Sequence, residues 1–220
     1  MRLLPLLGLA FVLAACGGTG GGAHQASAPT VPPVTGKTGC TPISAPAGKR
    51  RSEPKPTAAL DSSKTYDVTL NTNCGSFTIK LAVQTSPATT ASFVSLVRKG
   101  FFDKTVFHRI VPGFVIQGGD PTGTGTSGPG YETVDKPPTA TSYTHGVVAM
   151  AKTPAEAPGT SGSQFFVVTG QNARLTPDYA VLGKVTSGLA VVDAIGKLGD
   201  PSTEQPTETV EIESATVAVH

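Results

Sequence analysis

The chain has 220 residues, with 26 glycines, 19 prolines and a formal net charge of +2. That length suits one globular domain plus extra sequence, and the Gly/Pro content, dense before residue 60 and again after residue 120, marks loop-rich stretches. The small charge, with no basic block longer than Lys49-Arg50-Arg51, gives no footing to nucleic-acid binding.

At the N-terminus Arg2 is followed by an almost wholly apolar run over residues 3–15. The run is too short to span a bilayer as a stable helix, and Gly-rich sequence follows it, so residues 1–15 read as an export signal. It ends Leu13-Ala14-Ala15-Cys16. Small residues before a cysteine resemble the bacterial lipoprotein signal. The resemblance implies that Cys16 becomes a multiply acylated N-terminus, because a single acyl chain anchors only weakly. The protein is then expected to be exported and lipid-anchored on the extracytoplasmic side of a bacterial cell membrane; plain secretion with a spare cysteine is the alternative. Residues 16–63 are rich in Gly, Pro, Ala, Ser and Thr. They are expected to be a disordered tether, which leaves residues 64–220 as the folded domain. Lys49-Arg50-Arg51 would either touch anionic headgroups or simply keep the tether soluble.

Cys40 and Cys74 remain. An exported location permits a disulfide between them, which would pin the late tether to the domain; free thiols are the alternative. Two isolated cysteines lack the ligand cluster that zinc needs, so no metal is expected.

Within the domain, residues 66–70 and 76–81 flank an Asn-Cys-Gly turn and read as a β-hairpin. Phe77, Ile79 and Leu81 alternate with polar residues at period two. Ser86-Pro87 reads as a helix start, with Ser as the cap and Pro in the first turn, and Gly100 as the stop. Residues 106–111 and 114–117 read as two short strands joined at Pro112-Gly113. Residues 121–140 read as loop. The glycine-rich stretch 122–130 lacks the Gly-Lys-Ser/Thr ending of a phosphate loop. Further strands are expected at 146–150, 163–168, 179–185 and 209–219, with a short helix at 189–195. So many strands with only two helices cannot form a doubly wound sheet. The expected fold is mainly β, a closed eight-stranded antiparallel barrel capped by two α-helices, because closure leaves no strand edge exposed. A sandwich is the runner-up.

No hydrolytic arrangement stands out: neither HExxH nor GxSxG occurs, and His24 and His220 lie outside any candidate site. His108 and Asp120 could pair, although His108 reads better as an ordinary structural residue. What remains is an apolar, aromatic set with a few hydrogen-bond donors, which suits a peptide groove. Arg109 taken alone is as readily a solvated strand residue, and Phe114 and Phe166 are as readily core.

The stretch 107–120, FHRIVPGFVIQGGD, resembles the signature of cyclophilin-type peptidyl-prolyl isomerases. So do 146–151 (GVVAMA), 162–166 (GSQFF) and the segment from Leu175 to 179–185 (YAVLGKV). The resemblance implies a catalytic Arg109 ordered by Gln117. It implies a proline pocket of Phe114, Val115, Phe166, Leu175 and Tyr179, and a substrate cleft with Ala151, Lys152, Gln164 and Arg174. Tyr179 stands where many relatives have histidine, Lys152 where many have asparagine, Val115 where relatives often carry methionine, and Arg174 where cyclosporin-sensitive relatives often carry tryptophan. Cyclosporin binding is therefore expected to be weak. The resemblance implies isomerisation of X-Pro bonds in polypeptide substrates, with no cofactor and a monomeric enzyme. A non-catalytic binding module for Pro-containing segments and a surface-adhesion domain are the competing readings.

Overall fold

The computed structural model describes residues 39–220. The expected signal, Cys16 and the first part of the tether lie outside the described residues. β1 (Tyr66–Thr72) and β2 (Gly75–Leu81) form the expected hairpin. Phe77, Ile79 and Leu81 are buried while Lys80 faces solvent, as period-two alternation requires. α1 (Pro87–Arg98) follows, with proline in its first turn. Ser86 sits at the cap position but makes no capping bond. Instead the Thr89 N–H donates to the Asp135 carboxylate at 2.6 Å, so a residue from a distant loop satisfies one of the helix's orphan donors.

The remaining elements are β3 (Thr105–Val106), β4 (Arg109–Val111), β5 (Val115–Gly118), β6 (Thr133–Val134), β7 (Val147–Met150), β8 (Thr160–Ser161), β9 (Phe165–Val168), β10 (Val181–Ser187), α2 (Leu189–Ile195) and β11 (Glu211–Val219). Nine of the strands form one antiparallel sheet in the order β3-β11-β1-β2-β10-β7-β9-β5-β4, and β6 pairs with β8 apart from it. The expected closed eight-stranded barrel is thus corrected to an open, curled nine-stranded sheet. The physical reason lies at its two edges. Both edge strands belong to one stretch of chain, β3 and β4, interrupted at Phe107-His108. The Phe107 N–H donates to the Val210 carbonyl and the Ile110 N–H to the Glu204 carbonyl, each at 2.9 Å. The connection before β11 therefore satisfies these edge donors, and no ladder across the seam is needed.

Most of the core lies inside the curl. Phe93, Phe102, Phe107 and Phe165 pack there ring against ring, with centroids 4.7 to 6.0 Å apart. A row of facing residues, Ile110, Ile116, Val167 and Val148, runs across four strands, and all four are fully buried. Their sequence neighbours point to the opposite face of the same strands.

Residues 39–63, expected to be free tether, contain no helix or strand but lie against the domain. Cys40 and Cys74 are joined by a disulfide. Asn73 donates its side-chain amide to the carbonyls of Thr41 and Thr209, both at 2.9 Å. Buried hydrogen bonding and a covalent link hold this segment where composition alone signalled disorder.

Candidate active site

The candidate site is one row of side chains on the outer face of the curl. Arg109 on β4 stands opposite Gln117 on β5, Gln117 opposite Phe166 on β9, Phe166 opposite Ala149 on β7, and Ala149 opposite Val181 on β10. Directly opposed residues share a face, so register alone brings a guanidinium, an amide and an aromatic ring side by side. One position along, Val115 opposes Val168. Val115, Tyr143, Ala149, Phe166 and Val168 form a buried cluster separate from the main core, with Phe114, Ala151, Leu175 and Tyr179 packed partly exposed against it. Every residue expected in the proline pocket is therefore in one place.

The walls are fixed by ring contacts and one buried hydroxyl. The Phe166 and Tyr179 rings meet edge to face at 5.5 Å, and Tyr143 meets Tyr179 likewise at 6.0 Å. The Tyr143 hydroxyl donates to the Tyr179 carbonyl at 2.6 Å and accepts its N–H at 3.0 Å. Burial pushes the Tyr143 phenol up to about 12 despite the Tyr179 N–H that donates to its oxygen, so it remains a donor at neutral pH.

Arg109 is held by partners on two sides. Its Nε donates to Glu204 at 2.6 Å, and Nη1 reaches Gln117 Oε1 at 3.4 Å. Gln117 donates onward to Gln164 at 3.2 Å, and Gln164 to the Ser127 carbonyl at 3.0 Å. The Arg109 and Glu204 side chains are 33% and 44% exposed. At that exposure an ion pair contributes at most about 1 kcal/mol to stability, so its main effect is to orient a planar, rotamer-rich group.

Beside this row lies a cleft of about 620 Å³ lined by Gln117, Gln164, Ala151 and Lys152, and by the 125–132 loop. Asp120, buried at the start of that loop, accepts from the amides of Thr122, Thr126 and Ser127 and from the Thr122 hydroxyl. Burial raises its carboxyl, but these donors together outweigh burial and hold it below the usual carboxylate range. Lys152 Nζ lies 5.5 Å over the Tyr179 ring and donates to the Thr153 and Glu156 carbonyls.

One expected placement changes, and one open alternative closes. Arg174 is exposed, with a positive φ of 53°, and its N–H donates to Asn172 Oδ1; this local turn leaves it outside both the apolar cluster and the cleft lining. His108 does not pair with Asp120: its ring nitrogens are buried without a hydrogen-bond partner among the described residues. Sequence reasoning also missed Glu204 and Tyr143. Both come from loops without periodicity, and only the folded structure brings them to the site.

An apolar cluster, an oriented guanidinium in the same row and an open cleft beside them can hold an apolar peptide segment and offer it hydrogen-bond donors. The comparisons agree: the family profile described as cyclophilin type peptidyl-prolyl cis-trans isomerase/CLD matches residues 67–217, and the chain belongs to that family. It is 38% identical over 172 residues to the probable peptidyl-prolyl cis-trans isomerase A of Mycobacterium bovis, covering 70% of this chain and 93% of that protein. It is 39% identical over 168 residues to the peptidyl-prolyl cis-trans isomerase B of Streptomyces anulatus, covering 68% and 94%. A crystal structure of a cyclophilin type isomerase from Cryptosporidium parvum superposes with a TM-score of 0.64 at 29% identity, covering 70% of this chain and 98% of that one.

Proposed function

We propose that this cyclophilin-type peptidyl-prolyl isomerase accelerates X-Pro isomerisation in exported proteins, assisting their folding from a lipid anchor at Cys16. The observation that carries the chemistry is Arg109, oriented by Glu204 and Gln117 at the rim of the apolar pocket. The barrier to rotation comes from amide resonance, and the uncatalysed exchange takes tens of seconds or more. Phe114, Phe166, Leu175 and Tyr179 hold the pyrrolidine ring. Arg109 then donates to the prolyl nitrogen as its lone pair localises in the twisted state. That bond strengthens only toward the transition state, so it lowers the barrier and does not merely tighten binding.

The export context is supported by the lipoprotein-like start at residues 13–16 and by the Cys40–Cys74 bond, which suits an oxidising compartment. Arg174 turned outward, where cyclosporin-sensitive relatives often carry tryptophan, supports weak cyclosporin binding. Two experiments test the proposal. The protein should shorten the proline-limited slow phase of a refolding secreted substrate, and C16S should move the chain from the membrane fraction to the soluble one. An unchanged slow phase would remove the folding role; unchanged fractionation would remove the anchor.

A further inference from the structure

The segment before the family domain lies along the same loop that walls the cleft. The Lys49 N–H donates to the Pro121 carbonyl and the Glu53 N–H to the Pro129 carbonyl, both at 2.9 Å, so two bonds bracket the loop near its two ends. Gly48 runs so close that a Cβ there would stand 2.1 Å from the Thr122 carbonyl oxygen, and a Cβ on Gly130 would stand 2.7 Å from the Ser52 hydroxyl. Between these contacts Arg51 turns the other way. Its guanidinium donates to the carbonyls of Gly100 at 3.0 Å, Phe101, and Asp103 at 2.8 Å, and lies 5.9 Å over the Phe101 ring. Lys99 meets Glu53 at 2.9 Å. At its far end the segment is bonded to the β1–β2 turn through Cys40–Cys74.

We propose that residues 40–53 form a strap that positions the cleft wall of this enzyme, with Arg51 as the positioning residue and the disulfide as its far anchor. The route to the cleft wall is short: strap to loop 121–129, and the Ser127 carbonyl to Gln164, which lines the cleft. The planar fork of Arg51 suits three converging backbone carbonyls in a way that a lysine ammonium does not. Asp120 holds the loop from inside, while the strap holds it from outside. Peptides that occupy the 620 Å³ cleft depend on both, whereas a ligand small enough to fill only the proline pocket depends on neither.

The inference rests on the isomerase reading, and the test keeps the two apart. With the full chain, dissociation constants are measured by NMR titration, and turnover by exchange spectroscopy, for a minimal Ala-Pro-Phe peptide and for one extended on both sides. R51A, the C40S/C74S double variant and reduced wild type should each weaken the extended peptide about five-fold, the scale of one lost hydrogen bond. The minimal peptide should bind as before, with kcat unchanged. Hydrogen-exchange protection should fall at Thr126 and Ser127, and R51K should not restore it. If R51A binds both peptides as wild type does, or weakens both equally in step with its melting temperature, the strap is only structural and the inference is wrong. Absence of wild-type turnover with the binding contrast intact would instead strike the isomerase reading alone.

Discussion

Phe165 and Phe166 are neighbours on β9 and have opposite tasks. Phe165 is 0% exposed and packs against Phe93, Phe102 and Phe107 inside the curl. Phe166 is 4% exposed and packs against Tyr143 and Tyr179 on the outer face. The inner face carries apolar residues alone across β4, β5, β9 and β7, whereas the outer face grades from Arg109 through Gln117 to Phe166 and Ala149. The contrast shows how one sheet supplies both a scaffold and a site. A rigid inner face fixes the backbone, and the two-residue period of the strand then aims every outer side chain.

The sharpest way to break the contrast is to truncate each ring. Phe165→Ala should destabilise the fold by about 3–5 kcal/mol, as large-to-small changes in a closed core do, read as a loss in denaturant midpoint. Phe166→Ala removes a ring from the smaller outer cluster, whose neighbours Phe114, Leu175 and Tyr179 are partly exposed, so it should cost clearly less stability while removing most peptide binding. Equal stability losses with binding retained would show that the outer cluster is simply more core.

A smaller effect separates orientation from folding on the outer face. Glu204→Ala should lower kcat up to about five-fold, the scale of a half-exposed ion pair worth at most about 1 kcal/mol. KM and melting temperature should stay near wild type, and Glu204→Gln should recover most of the rate. A change confined to KM would mean that Glu204 acts on the substrate and not through Arg109.

The smallest effect lies where the two faces meet, at His108. Burial holds its imidazole below the ordinary histidine range; Asp120 opposes this in part and Arg109 adds to it. A folded state that prefers the neutral ring is most stable above the unfolded histidine's ordinary range, and it loses that contribution as pH falls through the lower folded value. Melting temperature should therefore decline on acidification from pH 7, and His108→Leu should flatten the decline. An identical decline in both proteins would assign it to other groups.

Much of this arrangement was legible in the chain. Alternation placed β2, Pro87 and Gly100 bracketed α1, and the motif order located Arg109, Gln117, Phe114 and Phe166. What escaped depends on contacts between residues distant in sequence. Glu204 lies 95 residues from Arg109, and no local pattern links them. The expected strand 106–111 breaks at Phe107-His108 because its amides bond to residues 204 and 210, which also leaves the sheet open where a closed barrel was expected. The two-residue β6 and β8 pair across 26 to 28 residues of chain and are too short to carry a periodic signal. Residues 39–63 carry a disordered composition, yet the disulfide and Arg51 hold them in place. Arg174 follows its motif position in sequence but is turned outward by the Asn172 turn.

The most direct test of the outer face as a catalytic surface is the exchange rate of an Ala-Pro-Phe peptide, followed by NMR line shape, with the wild-type full chain and with Arg109→Ala. Acceleration by the wild type that drops about 10²- to 10³-fold in the variant, with the fold and peptide affinity retained, is the expected result for a donor acting only in the transition state. Equal acceleration by both proteins would contradict the account, because the guanidinium would then orient substrate or merely solvate the rim while the chemistry arose elsewhere.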